Sequence, residues 1–264
     1  MIDNKKDIAL ICGSGAVDNS WNPIFRAIKP THFKSDFTKE GANTALALLV
    51  YNLRFHTGKN YDLNDSVLIK CKTILENTRN AICEHIKFSQ QTKELKVHSE
   101  FQEIVSNIIL PLCNRLLLIS TNWDTVIDDA ICTIPAFKNI KCLHIHGTYK
   151  DSTTLYLPTE ICSEKYRTQP EEFTLGRQHG AAMTALKNAQ VIILYGLSIS
   201  PLDAELLQII GSGMDSNILE NIKIIDLYPE VVAEKINVLL GHSTTIKIEG
   251  YTPLNINTPV EYLL

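Results

Sequence analysis

The stretch DIALICGSGAVDNSWNPIFRAI, residues 7–28, carries the decision about the fold. Ile8–Cys12 is a short, continuous apolar run, the pattern of a strand buried on both faces of a parallel sheet. Gly13, Ser14 and Gly15 follow at once, and Trp21–Ile28 then carries apolar residues at helical spacing. Strand, glycine turn and helix in that order form one βα unit. Four more runs of the same kind occur at RLLLIS (115–120), KCLHIH (141–146), VIILYG (191–196) and IKIIDL (222–227). Helical patterns separate most of them, as in residues 123–134, 171–189 and 203–213, so the chain is expected to form a doubly wound α/β sheet.

Between residues 32 and 114 no strand pattern is evident. GANTALALLVYNLRF (41–55), DSVLIKCKTILENTRNAICEHI (65–86) and SEFQEIVSNIILPLCNRL (99–116) instead have helical periodicity. The expected architecture is a single domain over 1–264. It has a Rossmann-like core at about 5–31 and 115–245 and a helical insert, a smaller helical subdomain, at about 32–114. Residues 151–170 are irregular and leave directly from the histidine strand, where they could cover the site as a lid.

Composition narrows the partners. Twenty-five Lys and Arg against 29 Asp and Glu give a formal charge of -4, with no block of like charge. That excludes a nucleic-acid arm and a polybasic membrane face, and leaves small molecules or proteins. The apolar run before Gly13 is only about five residues, too short for a signal-peptide core or a membrane span, so a cytoplasmic location is expected. Seven cysteines, the closest pair being Cys132 and Cys142, fit neither a disulfide framework nor a C-x-x-C motif and are expected as reduced thiols.

In an open parallel sheet the ligand sits beyond the carboxyl ends of the strands, so the peptides that follow the five runs are the candidate site. Gly13-Ser14-Gly15 could let the backbone approach a pyrophosphate, or could be a plain tight turn; no Gly-Lys-Ser/Thr follows to make a Walker loop. Asn122 and Asp124 have the amide and carboxylate that a nicotinamide-ribose pocket needs, and either could equally cap a helix beginning near Thr125. In CLHIHG a period of two puts Cys142, His144 and His146 on one face. A metal would need a third and fourth ligand that no second histidine pair or cysteine cluster offers, so no metal is expected. His146, next to Gly147, is placed as a lone general base and His144 as support. Ser198, Ser200 and Asp203 could bond phosphate or ribose, or Ser200 could cap a helix. Asp226 could reach a ribose diol or serve a turn.

Taken in order, these pieces resemble the sirtuin-like NAD-consuming fold, in particular its bacterial branch in antiphage defence systems. Gly13-Ser14-Gly15 with Pro23-Ile24-Phe25-Arg26 resembles the family's opening motifs, and Thr121-Asn122-Trp123-Asp124 its T-x-N-x-D. His146-Gly147 resembles its His-Gly, Gly196-Leu197-Ser198 its Gly-x-Ser, and Asp203 the trailing aspartate of the defence branch. LPTEICSEKY, with Tyr166, is similar to a further segment after the histidine. The resemblance spans roughly residues 8–230 and implies catalytic roles for His146, Asn122 and Asp124. It implies dinucleotide contacts for Gly13, Ser14, Gly15, Phe25, Arg26, Thr121, Gly196, Ser198, Asp203 and Asp226. Two departures stand out: Ile24 replaces an aspartate, and the four-cysteine zinc module of the family's protein deacylases is missing.

The activity so implied is hydrolysis of the nicotinamide-ribose bond of NAD, with NAD as substrate, by an antiviral effector that depletes NAD. A homo-oligomer and a separate activator, sensor or ATPase subunit are implied by the same analogy. Competing readings are a module that binds NAD or ADP-ribose without cleaving it, a protein ADP-ribosyltransferase or deacylase, and a metal hydrolase built on His144 and His146.

Overall fold

The computed structural model describes residues 5–29, 38–59, 66–241, 246–253 and 255–262. In chain order the elements are β1 (Lys6–Cys12), β2 (Val17–Asp18), α1 (Asn22–Ile28), α2 (Lys39–Lys59), α3 (Ser66–Gln91), β3 (Lys96–Val97) and α4 (Phe101–Ile104). They continue as β4 (Cys113–Ser120), α5 (Val126–Cys132), β5 (Cys142–His144), α6 (Gln169–Lys187), β6 (Val191–Tyr195), α7 (Ala204–Met214), β7 (Asn221–Ile225), α8 (Pro229–Leu239), β8 (Lys247–Thr252) and β9 (Asn255–Tyr262).

Seven of the strands form one sheet in the order β5-β4-β1-β6-β7-β8-β9. All neighbours are parallel except β8 and β9. The continuous apolar runs are explained by burial on both faces. Ile8, Leu10 and Cys12 of β1 pack with α1 to α5, whereas Ala9 and Ile11 pack with α6, α7 and α8. The chain leaves β1 toward β4 and β5 and then returns to β6 on the other side of β1, so the strand order reverses between β1 and β6. In open α/β sheets this reversal opens the crevice where ligands bind.

Several expectations shift in detail. The helical pattern expected to reach Leu116 ends in a wide turn at Val105–Ile109, because Cys113 already pairs with Lys6. The expected strand at 141–146 is only Cys142–His144, so His146 stands past its end. Two residues at Lys96–Val97 pair with β2 inside the segment where no strand was expected; so short a ribbon leaves no periodic signal. β8 and β9 extend the sheet at the end of the chain. The expected core boundaries at residues 31–32 and 245 lie outside the described residues. Among the described residues no helix is long and apolar enough to cross a membrane.

Candidate functional site

Register is what assembles the site. Cys12 is the partner of Ser120 and of Tyr195, Ser120 of His144, and Tyr195 of Ile225. The residues that follow therefore leave the sheet in one row, although they come from five separate parts of the chain. Over that row lies a cleft enclosing about 880 Å³ of space, open solvent included. Ser14, Thr121, Asn122, Asp124, His146, Gly196, Ser198 and Asp203 all line it.

The three glycines expected at the dinucleotide are first of all a joint between turns. The Gly13 and Gly15 amides donate to the Tyr195 and Gly196 carbonyls at 2.9 and 2.8 Å. A Cβ on Gly13 would fall 2.6 Å from the Gly196 carbonyl oxygen. Gly196 itself has φ +61°, and its Cβ would meet backbone of Gly15 and Ala16 at 2.2 Å. Only glycine permits both the left-handed backbone and this approach.

Asn122 and Asp124 follow β4 and are buried. The Asn122 side-chain amide donates to the Gly13 carbonyl at 3.1 Å, tying the β4 end to the β1 turn. The Asp124 carboxylate accepts from the Val126 amide at 3.0 Å and so also holds the start of α5. Burial pushes its pKa up to about 6, against that hydrogen bond and the nearby His144.

The two histidines clamp consecutive peptides. His146 Nδ1 faces the Thr121 carbonyl at 3.1 Å, and His144 Nδ1 faces the Asn122 carbonyl at 3.2 Å. Their other nitrogens face carboxylates: His146 Nε2 meets Asp203 at 3.2 Å and His144 Nε2 meets Asp128 at 3.0 Å. Carbonyls and carboxylates only accept, so a His146 ring that satisfies both partners is an imidazolium. Burial by itself lowers the His146 pKa. The charge and hydrogen bond of Asp203, with the Thr121 carbonyl, outweigh it and hold the pKa above its ordinary value.

Five expected contacts, Gly13, Gly15, Phe25, Arg26 and Asp226, do not line the cleft. Arg26 is spent on Glu94 at 2.8 Å and on Ser89, an arrangement that draws the Glu94 pKa down to about 2. Phe25 packs beside Trp21, with ring centroids 6.1 Å apart, and Asp226 accepts from the Tyr228 amide at 3.0 Å to close the turn into α8. Lys39, which the sequence did not mark, is the only Lys or Arg in the wall among the described residues; it sits 5.6 Å from the Trp21 ring centroid, and burial lowers its pKa.

Tyr156 was also missed. It stacks on His146, with centroids 5.9 Å apart and planes 12° apart, and its hydroxyl is buried without a hydrogen-bond partner. The indole nitrogens of Trp21 and Trp123, two further wall residues, are buried and unpartnered in the same way. Unsatisfied polar atoms gathered at one cleft are what a polar ligand would relieve.

The segment expected as a lid is a pinned wall. The Tyr156 amide donates to the His146 carbonyl at 2.9 Å. Glu160 accepts from Arg79, Arg167 and the Tyr166 hydroxyl, each at 2.7 Å. Among the described residues no cysteine is in a disulfide, and Cys132 and Cys162 are exposed. No protein-family model and no curated protein matches the chain.

Proposed function

We propose that the chain is an NAD glycohydrolase, cleaving the nicotinamide-ribose bond to give nicotinamide and ADP-ribose. The observation that carries this reading is the meeting of Asn122, Asp124 and His146, from two adjacent strand ends, in one cleft at the point where strand order reverses. An amide, a carboxyl and an imidazole are the groups this bond requires. Its cleavage builds positive charge on the ribose, frees a carboxamide-bearing leaving group and needs a water or hydroxyl delivered to C1′.

In this reading Asn122, fixed through its amide NH2 to Gly13, offers its carbonyl oxygen to the ribose or the water. Asp124 takes the nicotinamide carboxamide, and its raised pKa lets it accept from the amide or donate to it around pH 6. His146 is the base. Nδ1–H stays on the Thr121 carbonyl, so the proton that moves is on Nε2, the atom that faces Asp203. A protonated His146 must lose that proton before it can accept one. Ser14, Gly196 and Ser198 line the dinucleotide, and Lys39 takes the place of Arg26 as the cation nearest the pyrophosphate.

The same reading takes the helices α2 to α4 as an insert in a Rossmann-like core. It includes a homo-oligomer and a separate activating subunit, with NAD depletion as the outcome. One observation favours a second reading, a module that binds the dinucleotide without cutting it: both nitrogens of His146 already face acceptors. Nicotinamide release followed by chromatography, wild type beside His146→Ala, separates the two. Loss of about 10²- to 10⁴-fold in the variant is expected for a base. Equal release by both proteins would remove the base assignment, and binding of NAD with no release from either would favour the second reading.

A further inference from the structure

We propose that Cys162, His179 and Glu205 form a binding site for a thiophilic divalent cation of the zinc class. The thiol comes from the pinned 151–168 segment, the imidazole from α6 and the carboxylate from the first turn of α7. Sγ, Nδ1 and a carboxylate oxygen all lie within 4.8 Å of one another, with Sγ to Nδ1 at 3.4 Å and Nδ1 to Oε2 at 3.9 Å. Zinc bonds of about 2.0–2.3 Å at tetrahedral angles give ligand-to-ligand edges of about 3.3–3.6 Å, so small side-chain adjustments close the site.

The tautomer of His179 points the same way. Its Nε2 lies 2.6 Å from the Ile145 carbonyl, which can only accept, so the proton is on Nε2 and the Nδ1 lone pair is turned toward Cys162. A backbone carbonyl holding the far nitrogen is the usual support of a metal-bound histidine. Glu205 is buried, and among the described residues no Lys or Arg lies within ion-pair distance of it; it accepts hydrogen bonds from the Cys162 amide and thiol. A cation there would neutralise the carboxylate, and the thiol proton would leave to solvent as the thiolate binds. Cys162 is exposed and provides the entry path. Thiolate, imidazole and carboxylate together suit zinc and leave a fourth position for water.

A second group of possible ligands, Asp128, Cys142 and His144, is equally compact. There His144 Nε2 is hydrogen-bonded directly to the Asp128 carboxylate at 3.0 Å, whereas His179 Nδ1 lies 3.9 Å from Glu205 and makes no such bond. The Cys162 site also has a position that matters. Tyr156 meets His179 edge-on at 5.3 Å while stacking on His146, and Ile145 directly precedes His146. An ion at the site would join the cleft wall to α6 and α7 and fix the ring against which His146 rests.

The test needs no NAD turnover and stands apart from the glycohydrolase reading. The full chain, stripped with chelator, is titrated with cobalt(II), whose d–d bands report tetrahedral geometry and whose near-ultraviolet charge transfer reports a thiolate ligand. Saturation at about one ion per chain is expected, with zinc displacing it and, at about a hundredfold excess over Kd, raising Tm by about 5–10 °C. The charge-transfer band should vanish in Cys162→Ser and persist in Cys132→Ser and Cys142→Ser. The proposal is overturned if wild type shows no saturable band, if the band survives in Cys162→Ser, or if it is lost in Cys142→Ser instead.

Discussion

Asp203→Asn should make the candidate base easier to deprotonate. In the neutral ring Nδ1–H stays on the Thr121 carbonyl, which leaves the Nε2 lone pair facing the Asp203 carboxylate, an unfavourable pairing. Protonation replaces it with a charged hydrogen bond at 3.2 Å between side chains that are 12% and 22% exposed. Such a bond contributes about 1.5–3 kcal/mol. At 1.36 kcal/mol per factor of ten, its loss raises the ratio of neutral to protonated His146 by about one to two orders of magnitude at a given pH. Asparagine adds to this, because its NH2 can donate to the neutral Nε2.

If His146 is the base, the acid limb of a kcat/KM–pH profile for nicotinamide release rises with pH through the His146 pKa, and in Asp203→Asn it moves to lower pH. The sign for stability is opposite. A histidine whose pKa is raised by folding stabilises the fold below its unfolded pKa, and that stability is lost as pH rises through the folded value. Urea unfolding should therefore show the variant losing more stability at pH 5 than at pH 9. An acid limb that stays in place or moves up, or a stability deficit that grows toward alkaline pH, would refute the assignment of Asp203 as the group that holds the His146 proton.

Two further outcomes follow from the packing. Gly196→Ala should separate the two glycine turns: the left-handed backbone costs about 1–2 kcal/mol, and backbone atoms 2.2 Å from the new Cβ add more. A lower Tm with lost NAD binding is expected. Gly176→Ala, in α6 with nothing near its Cβ, should gain about 0.5–1 kcal/mol as the control. Glu160→Gln leaves the guanidiniums of Arg79 and Arg167 buried beside a neutral side chain, a loss of about 3–5 kcal/mol by chemical denaturation. Burial raises the Glu160 pKa and the two arginines more than reverse that. Its contribution is present above the unfolded carboxylate pKa and should fade as pH falls through the folded value.

The sequence by itself determined the parallel α/β sheet. Five runs apolar on both faces can be buried only between two layers of helices, and the order of runs and helical patterns follows from that. The same runs pointed to their carboxyl ends for the candidate site, because in this architecture that is where loops gather. Local pattern could not say which polar residue in those loops faces the cleft. The resemblance implied a dinucleotide contact for Arg26, yet its side chain is taken by Glu94, a partner distant in sequence. Gly13 and Gly15 read as room for a phosphate or as a plain tight turn, and in the structure they pack against the backbone of Gly196.

Asp203 read as a phosphate or ribose contact, and only the path of the loop after β6 set it on His146. Lys39 and Tyr156 carried no signal, since a lysine at a helix start and a tyrosine in an irregular loop are ordinary. Cys162, His179 and Glu205 are spread over three elements, so no spacing rule could join them. Periodicity records which face of an element is buried and thus decides layers and order. Pairing between distant side chains depends on register and crossing direction, and only the tertiary structure decided it.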